Sequence, residues 1–367
     1  MLTTLRFFGL LAGFLLMTLQ GRAQTNARPS SFLLSSGNSE MENYVISRNE
    51  LFAKIDRHAF EVSGHNINNP EELSQALCPD EFSEMEKVRS IYSWMAKNIV
   101  YDENGLRNNQ LQHQTAEDVF KNRLGVCEGF SNLFLTLCSY ANIEARFIQG
   151  YAKEDYFSNE KIIVFPNHAW NSVQINGKWH LLDVTWASLN KNLPDWNLSD
   201  NTNVEYKLEA NFLIDPETFI LTHLPEDPSW QLLPVPVAFD EFYEEDFLIK
   251  SPETKIDVHE RIDYIENLDS IDRELYLSER MVVNHWNKLK EYRLGIAYYF
   301  KAQQLYRMIG KMKGNAKNEV INSIRKNYQN SLDELRKLNS NDFGFKHAKD
   351  LIPIIESRRD LIMMNNS

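Results

Sequence analysis

The chain has 367 residues, 43% of them hydrophobic and 25% charged, values typical of folded globular proteins. They exclude a disordered tail, a membrane bundle and a small disulfide-stapled scaffold, and the length suggests two domains. A formal charge of −12 leaves no broad positive field for nucleic acid, so no nucleic-acid partner is expected.

Arg6, an apolar run from Phe7 to Leu19, and Gly21-Arg22-Ala23 make a secretory signal peptide over residues 1–23. The run is too short to cross about 30 Å of hydrocarbon as a helix. No Cys stands beside the cleavage site, so no lipid anchor is expected. The mature chain is expected to be exported, periplasmic or extracellular, with no membrane span. Cleavage removes Arg6 and Arg22 and no acid, leaving an acidic, soluble chain. Residues 24–48 are rich in Ser and Asn and read as a linker.

Met85, Val88, Ile91, Tyr92, Met95 and Ile99 recur at helical spacing and predict an amphipathic helix over Glu84–Val100. A second helix is predicted over Thr115–Asn122, opened by Thr115 and Asp118 at capping-box spacing. After a change of direction at Leu124-Gly125, a third is predicted over Cys127–Tyr140, with Phe130, Leu133, Phe134, Leu137 and Cys138 as its apolar stripe and Asn142 as its terminator. Strand signals follow at Ile143–Tyr151, Ile162–Phe165, His168–Ile175 and Lys178–Trp186. Helices first and strands after predict an α+β domain over 49–233.

Residues 187–204 read as loop, and Leu233-Pro234-Val235-Pro236-Val237 opens a linker over 234–250. The remainder, 251–367, is predicted to be all helical, with long helices in Glu274–Met312 and Val320–Leu338 forming an antiparallel pair about Gly314. Leu294-Gly295, Tyr298 and Ala302 match only the first helix of a tetratricopeptide repeat, so a short helical bundle is expected instead.

Asn176-Gly177 between alternating runs is the strongest short-range hairpin signal. Pairing Ile175 with Lys178 sets Trp170 opposite Asp183 and His168 opposite Thr185, with His168, Trp170, Asp183 and Thr185 on one face. His168 and Asp183 are then diagonal neighbours, close enough to meet. The same register puts Trp170 and Trp186 on opposite faces, both in core, and leaves Trp196 in a polar loop as a groove candidate.

A carboxylate on one imidazole nitrogen fixes the tautomer and leaves the other nitrogen to move a proton. Such a dyad needs a nucleophile. An exported chain with three cysteines leaves at least one thiol unpaired. Cys127 follows Gly125 at a helix start, where free backbone N–H groups and the helix dipole favour a thiolate. Each of the three residues, taken singly, is more often structural; the register that joins two of them was fixed by the turn alone. Cys138 falls on the apolar stripe and reads as packing.

Arg123-Leu-Gly-Val-Cys-Glu-Gly-Phe130, Asn167-His-Ala-Trp-Asn171 and Trp179-His-Leu-Leu-Asp-Val-Thr-Trp186 resemble the three core motifs of the transglutaminase-like superfamily. Ile91-Tyr-Ser-Trp94 and Asn98-Ile-Val-Tyr-Asp102 resemble the preceding helix of its bacterial and kyphoscoliosis-peptidase-like branch. The likeness extends over about 84–233, including Thr222-His-Leu-Pro225 and Trp230-Gln-Leu-Leu233. It implies a papain-like core of helices packed on an antiparallel sheet, with Cys127 as nucleophile, His168 as general base and acid, and Asp183 as the orienting carboxylate. The helical tail lies outside it.

The expected activity is that of a thiol-dependent hydrolase or acyltransferase acting on peptide or glutamine amide bonds through a thioester, peptidase or amidase ahead of protein cross-linking. The alternative is a non-catalytic exported binding protein using the groove and the tail, with a protein partner for the tail. The nine histidines are scattered without HExxH spacing, CxxC pairs and glycine-rich phosphate loops are lacking, and neither metal nor cofactor is expected.

Overall fold

The computed structural model describes residues 39–62, 67–153, 166–188, 208–244, 249, 257–284 and 288–364. The proposed signal peptide 1–23, the strand expected at Ile162–Phe165 and Trp196 lie outside the described residues.

The first helix, α1 (Ser39–Glu61), begins inside the segment expected as a linker over 24–48. The Ser-rich composition ends near Ser39, and the helix formers that follow lead without a break into Phe52, Ile55 and Ala59, which are buried. Next come α2 (Pro70–Leu77), α3 (Glu84–Asn98), a short α4 (Glu103–Arg107), α5 (Ala116–Asn122) and α6 (Cys127–Tyr140). Ser83 and Glu86 close a full capping box on α3. Thr115 caps α5 through the Asp118 N–H, while its hydroxyl donates to the Asp118 carboxylate at 2.8 Å. Arg89 of α3 is fully buried and pairs with Asp56 of α1 at 2.7 Å and Glu209 at 2.9 Å, so a charged residue joins three separate segments.

Two short parallel strands, β1 (Val100–Tyr101) and β2 (Leu124–Gly125), lead into α6. The main sheet has the order β5-β4-β3-β6, antiparallel throughout, with β3 (Ala145–Ala152), β4 (His168–Ile175), β5 (Lys178–Leu182) and β6 (His223–Pro225). The β4–β5 hairpin has the expected register, Ile175↔Lys178 through Asn171↔Leu182. Asn176 and Gly177 take φ of 51° and 74°, the two left-handed positions of a type I′ turn.

The strand predicted to run to Trp186 ends at Leu182. The Asp183 N–H turns aside to the carbonyl of Asn211, so the expected pairs Trp170–Asp183 and His168–Thr185 do not form.

One face of the sheet, through Val173, Ile175 and Leu182, packs on α3 and α6 in a core that includes Trp94, Phe130 and Phe134. The other face carries Ile148, Trp170, Trp179 and Leu181 and is covered by Phe219, Leu232 and Ile262. Helices on an antiparallel sheet make this an α+β, papain-like core.

The segment expected as a linker over 234–250 is packed where described: Val237, Phe239 and Phe242 are buried against Tyr151, Leu224 and Leu233. The prolines there punctuate an ordered stretch. Beyond it lie α7 (Val258–Glu266), α8 (Ser270–Asn284), α9 (Lys288–Met308), α10 (Gly314–Leu335) and α11 (Phe345–Met364). The antiparallel pair about Gly314 is α9 and α10, and α11, unforeseen because Pro353 interrupts its pattern, packs on both. This helical region contacts the core through Glu266, which pairs with Arg146 at 2.8 Å, and through Arg293, 3.7 Å from Glu226. No helix among the described residues is long and apolar enough to cross a membrane.

Candidate active site

Cys127 opens α6 and is partly exposed. Its predecessor Val126 offers no side-chain cap, so the first-turn N–H groups point outward without a helical acceptor. The loop before them is held by Gln114, whose Oε1 accepts the Val126 N–H at 2.8 Å. Nothing in the sequence around Gln114 marks that role.

His168 opens β4 and its position is fixed from both sides in sequence. Asn167 clamps Ala152 of β3, accepting its N–H at 2.7 Å and donating to its carbonyl at 3.0 Å. Asn171 donates to the carbonyls of Ser131 in α6 and Arg146 in β3, each at 3.2 Å. One turn of α6 beyond Cys127 is thereby tied to the strand that begins with His168. The Cys127 side chain lies beside the His168 ring, near enough to favour its protonated form.

Asp183 sits in the turn that ends β5. Its Oδ1 accepts the backbone N–H groups of Thr185 at 2.7 Å and Trp186 at 3.0 Å, and its Oδ2 lies 2.6 Å from His168 Nε2. With Nε2 taken by Asp183, Nδ1 is the His168 nitrogen left to face Cys127. The structure thus brings together Cys127, His168 and Asp183, the three residues singled out in the sequence.

Electrostatically the dyad is an ion pair. Burial pulls the His168 imidazole down, but the Asp183 carboxylate, helped by Cys127, outweighs it and raises the group to about 10. Burial likewise favours a neutral Asp183, yet His168 and His223 hold it well below the usual carboxylate range. Cys78 and Cys138 are buried and unpaired; burial pushes the Cys78 thiol up to about 12 and Cys138 well above its ordinary value. Neither competes as a nucleophile.

The sequence reading missed a fourth residue. His223 of β6 is buried, and its Nε2 lies 3.2 Å from the same Asp183 Oδ2. It stands in Thr222-His-Leu-Pro225, a noted segment whose pairing with β3 depends on a long connection that periodicity does not register. Trp186 also differs from expectation. With β5 ended early, its ring comes to 5.7 Å from His168, on the side where Trp170 lies 6.0 Å away, and it is only partly buried.

Donor atoms of His168, Asp183 and His223 lie within 4.8 Å of one another and could geometrically hold a metal ion. The 2.6 Å contact to His168 is a charge-assisted hydrogen bond in which the proton already occupies the space between the donors. The donor set is satisfied by itself and fits a proton relay better than a metal.

Residues 71–184 match the profile described as the transglutaminase-like superfamily. They form a transglutaminase-like domain. The chain is 29% identical to kyphoscoliosis peptidase of Mus musculus over 65% of its length and 37% of the relative. It is 26% identical to Lim and transglutaminase domain protein ltd-1 of Caenorhabditis elegans over 54% of its length and 28% of the relative. It therefore spans 37% of the first relative and 28% of the second. A solved structure of a candidate cysteine protease from Cytophaga hutchinsonii aligns at 28% identity over 36% of this chain and 37% of its own, with a TM-score of 0.21. Cys127, His168 and Asp183 fall inside the matched transglutaminase-like residues, and His223 lies beyond them.

Proposed function

We propose that this chain is an exported thiol-dependent hydrolase or acyltransferase acting on peptide or glutamine amide bonds. The observation that carries the reading is the arrangement of Cys127 beside His168, itself 2.6 Å from Asp183, with a partly exposed thiol at a helix N-terminus and a buried carboxylate behind the imidazole. The peptidase in the name of the mouse relative supports amide cleavage over cross-linking. Export rests on the N-terminal apolar run.

In this reading the Cys127 sulfur adds to the amide carbonyl carbon, and the oxyanion is received by the Cys127 backbone N–H at the uncapped start of α6. His168, protonated and steadied by Asp183, gives its proton to the departing nitrogen as the C–N bond breaks. The thioester left on Cys127 is then attacked by water or by a primary amine, with His168 taking the proton back. No metal or cofactor takes part.

The test is intact-mass spectrometry after brief iodoacetamide treatment of the native protein, Cys127→Ala and His168→Ala. One rapid label, absent from the first variant and slowed at least about tenfold in the second, supports the triad. Slow labelling indifferent to both variants overturns it and leaves the non-catalytic binding protein as the surviving reading. New amino termini in a protein substrate, against incorporation of a fluorescent primary amine, then separate hydrolysis from transfer.

A further inference from the structure

His223 is placed by the sheet. β3 lies between β4 and β6, with Gly150 opposite His168 and Ala152 opposite His223, so both imidazoles rise from the same face. The His223 ring has no freedom to turn. It stacks on Phe219 at 4.1 Å and 15°, and meets Trp186 at 4.3 Å and Trp170 at 5.1 Å.

Its proton is placed by its neighbours. Burial and the adjacent His168 favour the neutral ring over the pull of Asp183 and the weaker pull of the Phe219 carbonyl, and an ionised Asp183 can only accept, so the single N–H is on Nε2. Nδ1 is then bare and accepts the hydroxyl proton of Thr222, 2.8 Å away. The same hydroxyl is 3.5 Å from the Phe219 carbonyl, the weaker of its two options.

Asp183 therefore receives four donors, two backbone N–H groups on Oδ1 and two imidazoles on Oδ2. Resting on the thiol-enzyme reading, we infer that His223 is a positioning residue: its neutral Nε2–H holds the Asp183 carboxylate in the plane that meets His168, and Thr222 holds His223 in the required tautomer. Backbone donors fix one oxygen, but the carboxylate still has a torsion, and a second donor on Oδ2 removes it. The titratable groups facing His223 are Asp183 and His168; Cys127 faces His168, and Tyr92 lies in the field of Asp183.

The test is the pH dependence of Cys127 alkylation by iodoacetate, whose negative charge makes its rate fall when the His168 imidazolium loses its proton. In His223→Leu the alkaline fall moves to lower pH by about one unit, a tenfold loss of proton affinity, because a loosened carboxylate supports the imidazolium less. His223→Gln, which presents an amide N–H at similar reach, restores it, and Thr222→Val shifts it the same way by less. A structural role would lower melting temperature in Leu and Gln alike and leave the limb in place. An unmoved limb, a shift to higher pH, or a Gln variant no better than Leu overturns the inference. If His223→Leu does not fold, Thr222→Val carries the same test. A wild-type protein with no preferential labelling of Cys127 overturns the triad reading itself, a result distinct from the others.

Discussion

Thr185 donates its backbone N–H to Oδ1 of Asp183 at 2.7 Å, and that bond selects which carboxylate oxygen the histidines see. Because β5 stops at Leu182, Asp183 closes a turn on itself, with Trp186 adding a second N–H to the same oxygen at 3.0 Å. The strand end is therefore part of the site: in a ladder continued to Trp186 the successive N–H groups of Thr185 and Trp186 would point to opposite edges of the strand and could not both reach Oδ1, leaving the carboxylate to rotate. Termination also carries Trp186 around to His168.

Asp183→Asn follows directly. The amide oxygen keeps the Thr185 and Trp186 N–H groups, so the NH2 faces Nε2 of both His168 and His223, donor against donor. His168 must then move its proton to Nδ1, the nitrogen that faces Cys127. Turnover, or the acylation rate on a model thioester-forming substrate, is expected to fall on the order of 10³–10⁴-fold, with a stability loss of about 1–3 kcal/mol from the unmatched donors. A rate within tenfold of wild type would show that the carboxylate does not orient the imidazole.

Thiol reactivity separates the three cysteines. Cys78 is 9% exposed and Cys138 is fully buried, so native protein is expected to take one iodoacetamide equivalent on Cys127, and three only after denaturation. Cys127→Ala removes the native label and, at a partly exposed position, changes melting behaviour by less than about 1 kcal/mol. Peptide mapping that found native label on Cys78 or Cys138 would contradict the burial of those two thiols.

Much of this site was legible because two local signals happen to reach across it. The Asn176-Gly177 turn fixes the register that brings His168 toward Asp183, and the helix start at Cys127 follows from the change of direction at Leu124-Gly125 together with the apolar stripe from Phe130. What periodicity could not carry was termination and long-range pairing. Nothing local reveals that Asp183 N–H leaves for Asn211, and His223 reaches the site through β6, whose partner β3 is some seventy residues earlier in the chain. The linker expected at 24–48 gave way at Ser39 to α1 for a related reason: composition averaged over a window hides the residue at which it changes. Likewise the prolines of 234–236 punctuate a segment that Val237, Phe239 and Phe242 anchor.

The ion pair gives stability a pH signature. Unfolding returns His168 from about 10 to an ordinary 6.5, so its contribution is complete below about 6.5 and is lost as pH rises toward 10. Asp183, depressed from an ordinary 3.8, contributes fully above that value and loses it as pH falls. The pair therefore stabilises most between about pH 4 and 6.5, and roughly 4 kcal/mol should disappear between pH 6 and 10. Urea midpoints for wild type and His168→Gln over that range isolate the effect from other alkaline titrations. Parallel curves for the two proteins would exclude a buried ion pair.

Gly150 tests whether the sheet positions the histidines. It lies opposite His168 on one side and Pro225 on the other. A Cβ there would stand 2.3 Å from the Leu224 carbonyl and 2.5 Å from the Trp170 ring, too close for either to remain. Both neighbours are constrained, Leu224 by the β6 ladder and Trp170 by burial, so the strand must yield and take His223 with it. Gly150→Ala is expected to lose about 1–3 kcal/mol to overpacking and to slow Cys127 labelling in the protein that stays folded. A variant that lost stability while labelling at the wild-type rate would mean that β6 can shift without disturbing Asp183.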